Sequence, residues 1–169
     1  MKTCFVASPI GNPKSDTRIH ADKFLKYIVE PACLRTGFTA SRSDQFYGSD
    51  YVDRMIIEQL ASCDLVIADL SEKNPNVYFE VGYRLALGLP LVITVRMDED
   101  VKFDISTLRQ LKFDPSFSAD NVEWAVDELV KHIKAEESKN HVKPILGYVQ
   151  QSEPKNAKDN EIWIKTEDF

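Results

Sequence analysis

Short apolar runs alternate with helical spacings along most of this chain. Thr3 to Ala7 is a compact apolar run, closed by the breaker-rich loop Ser8-Pro9-Ile10-Gly11-Asn12-Pro13. From Asp16 to Ala32 the apolar positions Ala21, Phe24, Leu25, Ile28, Val29 and Ala32 follow the helical repeat. Gly37 to Ser41 is a weak second strand. A second helix, capped by Ser49 or Asp50, carries Val52, Ile56, Ile57 and Leu60 on its buried stripe. Leu65 to Ala68, bracketed by Asp64 and Asp69, has the continuous apolar character of a central strand buried on both faces. The next helix is expected from Val77 to Leu87, capped by Asn76 and stopped by Gly88 and Pro90. Leu91 to Val95 is a fourth strand. Between residues 96 and 118 the pattern is mixed, with a short helix near Ile105 to Gln110 and a fifth strand at Lys112-Phe113. Ser118 to Ala135 is the last long helix, with Val122, Ala125, Val126, Leu129, Val130 and Ile133 on one face.

Strand–helix alternation of this kind predicts an α/β fold: an open, mainly parallel five-stranded sheet with helices on both faces. The pattern dissolves after Glu136, so the domain is expected over residues 1–138. Residues 139–169 then form a C-terminal tail that serves as a docking or interaction segment, with a short edge strand within Glu161 to Lys165. At 169 residues the chain is one domain plus this tail and needs no metal or disulfide staple.

Composition narrows the class. Lys and Arg number 21 against 27 Asp and Glu, a net charge of -6, which argues against binding a nucleic-acid polymer through a global basic field. A small anionic ligand needs only a local site and stays open. No apolar stretch approaches the roughly 20 residues of a membrane span, and the N-terminal run is too short for a signal peptide. Cys4, Cys33 and Cys63 are widely spaced and odd in number, which points to reduced thiols and a cytoplasmic protein. His20, His132 and His141 show no metal-ligand spacing, so no metal site is expected.

In open parallel sheets, ligands bind beyond the carboxyl ends of the strands. Ser8, Gly11, Asn12, Ser15 and Arg18 follow the first strand. Small residues, a helix N-terminus and a guanidinium make this loop a candidate anion site; its bland counterpart is a βα turn with Arg18 paired to Asp22. Asp44 and Tyr47 follow the second strand, and Asp69, Ser71, Asn74 and Asn76 the third. Asp64 stands at the strand's opposite end. Asp69 either serves chemistry or caps its Ser-x-x-Asn turn. Glu80 lies between Phe79 and Val81 on the margin of a stripe formed by Val77, Val81 and Leu85. It either points into the crevice or pairs with Arg84 at i+4 on a solvated face. Gly82 in mid-helix costs about 1 kcal/mol against alanine and suggests a close approach there.

The segments Cys63-Asp64-Leu65-Val66-Ile67-Ala68-Asp69-Leu70-Ser71, Asn74-Pro75-Asn76-Val77-Tyr78-Phe79-Glu80-Val81-Gly82-Tyr83 and Leu87-Gly88-Leu89-Pro90 together resemble the nucleoside 2-deoxyribosyltransferase-like family, a fold relative of TIR domains. Phe5-Val6-Ala7-Ser8-Pro9-Ile10-Gly11 with Arg18, Ala21 and Asp22 is similar to the start of many bacterial members, and the resemblance spans about residues 3 to 135.

It implies a flavodoxin- or TIR-like sheet and chemistry at an N-glycosidic bond. Glu80 matches the nucleophile or acid–base group. Asp64 or Asp69 matches the aspartate that assists base departure or holds the ribose. Ser8, Gly11, Asn12, Ser15 and Arg18, with Asn76 and Tyr83, are the implied substrate and phosphate contacts. The implied substrate is a nucleoside 5′-phosphate or related nucleotide, cleaved or transferred without a cofactor, in a homo-oligomer. Bacterial relatives of both kinds often serve in anti-phage defence. Two other readings stay open: a TIR-like hydrolase or cyclase with NAD as substrate, and a silent nucleotide-binding or assembly module. Two departures stand out. Cys4 occupies the position of a transferase tyrosine in the first strand, and Arg84 replaces the alanine that follows Gly-Tyr. Arg84 would either lower the pKa of Glu80 or pair with it in a degenerate site.

Overall fold

The computed structural model describes residues 2–45, 52–101 and 108–139, with 149–150 and 164–165. Strands β1 (Lys2–Ala7), β2 (Phe38–Arg42), β3 (Leu65–Asp69), β4 (Leu91–Arg96) and β5 (Gln110–Phe113) form one sheet in the order β2-β1-β3-β4-β5. Every neighbouring pair is parallel; Val6, for example, lies opposite Arg42 on one side and Ile67 on the other. The expected five-stranded α/β architecture is the one found. Its chain order reverses between β1 and β3, which makes that edge the topological switch point.

Alternation along the strands sorts the core into two layers. Cys4, Val6, Leu65 and Ile67 face α1 (Asp16–Lys23), α2 (Glu30–Thr36) and α5 (Ala119–Glu137), packing on Phe24, Ile28, Leu129 and Ile133. Phe5, Ala7, Val66 and Ala68 face α3 (Val52–Ser62) and α4 (Pro75–Ala86), packing on Leu60, Val77 and Val81. The helix expected over Asp16 to Ala32 continues to Thr36. Between α1 and α2 it passes through a π-helical stretch, Phe24–Val29. Pro31 at the start of α2 has no N–H to give to the preceding turn, and a π turn just before it is a usual accommodation.

The pattern misplaced several details. Asn74, not Asn76, caps α4: its Oδ1 accepts from the Asn76 N–H at 3.0 Å, and Pro75 follows at the position where a missing N–H costs nothing. Gln110, expected to end a short helix, opens β5 instead; the rest of that expected helix, residues 102–107, lies outside the described residues, as do Tyr47, Ser49 and Asp50. In the tail, Val149–Gln150 and Ile164–Lys165 pair in parallel as two short strands. Among the described residues no helix is long and apolar enough to cross a membrane, and no group of His, Cys, Asp and Glu is arranged to hold a metal.

Arg84 departs most from the expected stripe. It is fully buried, while Leu85, expected in the core, is 41% exposed. The Arg84 guanidinium turns toward the amino ends of the strands. It donates to the Leu60 carbonyl at 2.6 Å, the Cys63 carbonyl at 2.9 Å and the Pro90 carbonyl at 3.1 Å. These acceptors lie at the end of α3 and at the entrances to β3 and β4. A cation there also complements the negative end of α3. Arg84→Met keeps the volume and leaves three buried carbonyls without this donor. The expected loss is about 3 kcal/mol of unfolding free energy in urea denaturation. A loss under about 1 kcal/mol would show that the carbonyls readily find other donors.

Candidate active site

A cavity of about 540 Å³ opens at the carboxyl ends of β1 and β2, against α3 and the start of α4. The loop after β1 gives Ser8, Ile10 and Gly11, the turn after β2 gives Ser43, and α3 gives Ile56 and Ile57. The entry to α4 gives Asn74, Asn76, Val77, Phe79 and Glu80. The wall is therefore apolar, with a few hydroxyls and amides and a single ionisable side chain among the described residues.

That side chain is Glu80. It is 9% exposed, and no described residue donates it a hydrogen bond or faces it as an ion-pair partner. Burial alone pushes its carboxyl up to about 7, because a carboxylate there gives up water without a compensating charge. The i+4 pairing with Arg84 on a solvated face does not occur, and Arg84 does not lower the Glu80 pKa; its guanidinium is committed at the other end of α4. A carboxyl that titrates near neutrality is suited to either nucleophile or acid–base work.

Ser8 is the second notable group. It is buried, and its Oγ finds no partner among the described residues, in a wall it shares with Glu80. Gly11 is at φ +64°, and a Cβ there would come within 2.6 Å of Ser15 Oγ and 2.8 Å of Thr17 Cβ, so the turn beside the cavity is open only to glycine.

Several expected site residues lie elsewhere. Asn12 and Ser15 build the helix entry: Ser15 Oγ donates to the Asn12 carbonyl at 2.8 Å and accepts from the Arg18 N–H at 3.1 Å. The Arg18 guanidinium points away from the cavity, bonding Asp22 at 3.0 Å and Asp44 at 2.7 Å. Arg42 joins the same two carboxylates at 2.6 and 2.7 Å, and these cations hold Asp22 and Asp44 below the ordinary aspartate value. Asp64 sits at the amino end of β3, where it accepts from the Thr3 N–H at 2.7 Å and from Thr3 Oγ at 3.1 Å.

Asp69 is fully buried on the face opposite the cavity. Its Oδ1 accepts from Ser71 N–H and Ser71 Oγ at 3.0 and 2.5 Å, and its Oδ2 lies 3.3 Å from His20 Nε2. The strand's alternation explains this: Leu65, Ile67 and Asp69 share one face, and α4 lies on the other. Cys4, in the position compared with a tyrosine, also faces away, into the α1/α5 layer. Tyr83 packs beside the α3/α4 layer, its ring 6.5 Å from Phe79, and does not line the cavity. The residues that sequence reasoning missed are Ile10, Ser43, Ile56, Ile57, Val77 and Phe79 as cavity lining. Phe79 stood beside Glu80 in the expected motif, but its direction was not readable. It is 61% exposed at the cavity rim.

No family model matches this chain, and no curated protein matches it. Solved structures do. A 2-deoxyribosyltransferase from Bacillus psychrosaccharolyticus is 17% identical with a TM-score of 0.52, the match covering 71% of this chain and 95% of that one. A 2-deoxyribosyltransferase from Leishmania mexicana is 22% identical with a TM-score of 0.51, over 78% of this chain and 99% of that one. A CMP N-glycosidase from Clostridium botulinum is 14% identical with a TM-score of 0.49, over 75% and 99%. The first two establish the architecture: this chain has the fold of the 2-deoxyribosyltransferases.

The raised Glu80 value has a consequence for stability. The native state binds the Glu80 proton more tightly than the unfolded chain does. Stability from this group is therefore fully present below about pH 4.5 and is lost as pH rises through about 7. Between those limits wild type should lose about 3 kcal/mol relative to Glu80→Gln, which cannot ionise. Urea denaturation of both proteins at about pH 4.5 and about pH 8 measures the difference. Parallel pH profiles would show that Glu80 is solvated in the folded protein.

Proposed function

We propose that this protein cleaves or exchanges the N-glycosidic bond of a nucleoside or nucleotide, with Glu80 as the reacting group. The observation that carries the reading is one buried carboxyl, tuned to about 7, in a cavity at the switch point of a deoxyribosyltransferase fold. An oxygen of ionised Glu80 attacks the anomeric carbon. The bond to the base breaks, its electron pair leaves with the base, and the base takes up a proton. Water then hydrolyses the glycosyl ester and restores Glu80; a second base attacking instead gives transfer. As anomeric positive charge develops, an unpaired carboxylate in an apolar wall stabilises it more strongly than one already neutralised by a cation. The apolar surfaces of Ile56, Ile57 and Phe79 suit a base, and Ser8 with the Asn74 and Asn76 side chains suits a sugar.

The phosphate contact expected from Arg18 has no support in this arrangement. Arg18 is engaged by Asp22 and Asp44, and the described lining contains no Lys, Arg or His. Within the first loop, Ser8 and Gly11 remain available to a substrate.

The test is release of free base from a panel of nucleosides, nucleoside 5′-monophosphates and NAD, by wild type and by Glu80→Gln. Turnover by wild type should fall at least about 100-fold in the variant. As nucleophile, Glu80 gives a rate that rises with pH through about 7; as acid, one that falls. Equal rates for the two proteins would remove Glu80 from the chemistry, and no released base from any substrate would leave a binding module.

A further inference from the structure

The turn Ser71–Lys73, just before α4, holds a costly conformation. Glu72 has φ +61° and Lys73 φ +49°, left-handed values that side chains with a Cβ rarely adopt. Strain of this kind persists only where the surroundings over-determine it. Here they do. Glu72 Oε2 accepts from Thr17 Oγ at 2.7 Å, and Glu72 Oε1 accepts from Arg96 Nη2 at 2.9 Å. The Glu72 N–H donates to Glu99 at 2.8 Å, and Ser71 Oγ accepts from the Arg96 N–H at 3.0 Å.

This network adjoins the cavity lining at two places, Gly11 and Asn74. Thr17 backs onto Gly11, since a Cβ on Gly11 would meet Thr17 Cβ at 2.8 Å. Two residues after Glu72 comes Asn74, which caps α4 and lines the cavity. Thus the Glu72 carboxylate ties Thr17 of α1, behind the β1 loop, to Arg96 of β4, from the turn that leads into the helix carrying Glu80. We infer that Glu72 is a positioning residue, a strut whose bonds to Thr17 and Arg96 hold these two parts of the lining in place and so keep water from Glu80.

The inference deepens the reading of the Glu80 cavity, yet its readout needs no substrate. Glu72→Gly removes the strut and also relieves the left-handed strain, which glycine adopts freely. An ordinary stabilising residue would lower the unfolding midpoint when removed and leave Glu80 unaffected. A strut predicts the reverse. The thermal unfolding midpoint should hold within a few degrees. The Glu80 carboxyl, followed by NMR titration of carbon-labelled glutamate, should move down by about 1 pH unit or more toward the ordinary glutamate value.

Thr17→Val, which keeps the shape and removes only the hydroxyl donor, should shift Glu80 in the same direction by less. It decides the matter if Glu72→Gly does not fold. An unchanged Glu80 titration in a folded Glu72→Gly, or in Thr17→Val when that is the variant that decides, overturns the inference. Failure of wild type to release base from the substrate panel bears on the proposed reaction alone.

Discussion

A guanidinium surrounded by carbonyls sets the position of everything that matters in this molecule. Arg84 binds the end of α3 and the entrances to β3 and β4 at once, so α4 cannot slide or roll against the sheet without breaking charge-assisted bonds in a dry environment. Among the described residues it donates hydrogen bonds only to carbonyl oxygens, and desolvation lowers its pKa. Because α4 runs antiparallel to the strands, anchoring its last turn at their amino ends fixes where its first turns stand at their carboxyl ends. Glu80 stands one helical turn from Arg84 toward that end, in the cavity wall. The arginine and the glutamate, four residues apart, therefore do opposite things: one secures the helix, the other is carried by it into the cavity.

The distribution of charge follows the same division. Arg18 and Arg42 share Asp22 and Asp44, and Arg96 is held by Glu72 and Glu99. None of these cations enters the described lining of the Glu80 cavity. Had one of them reached Glu80, Coulomb attraction would have lowered the carboxyl's pKa. An acidic chain thus keeps one carboxylate apart from its balancing arginines, and burial, rather than a neighbouring charge, sets its affinity for protons.

The fold was largely legible before any coordinates. Continuous apolar runs at Thr3–Ala7, Leu65–Ala68 and Leu91–Val95, the first two each followed by a helical repeat, mark parallel strands covered on both faces. The motif around Glu80 was legible too, as was its place beyond the carboxyl end of β3. Less was readable where two residue types compete for one position. Asn74 and Asn76 both suit a cap, and Pro75 between them settles it for Asn74. Leu85 continues the expected stripe and Arg84 stands beside it. Hydrophobicity favours Leu85, but three carbonyl acceptors at one point make arginine the better fit.

The order of elements, the parallel sheet and the helix that bears Glu80 are legible in the chain alone, because periodicity and breakers are local properties. Which of the candidate groups meet depends on how the chain folds. Asp64 and Asp69 are five residues apart on one strand, yet one lies at its amino end and the other against His20 on the face away from α4. Arg18 follows the cavity loop but is drawn to Asp44 after β2. Glu72, a surface-type residue in a polar turn, becomes a tie between α1 and β4. Such partnerships depend on the direction of each side chain and on residues far along the chain, and no spacing in the sequence encodes them.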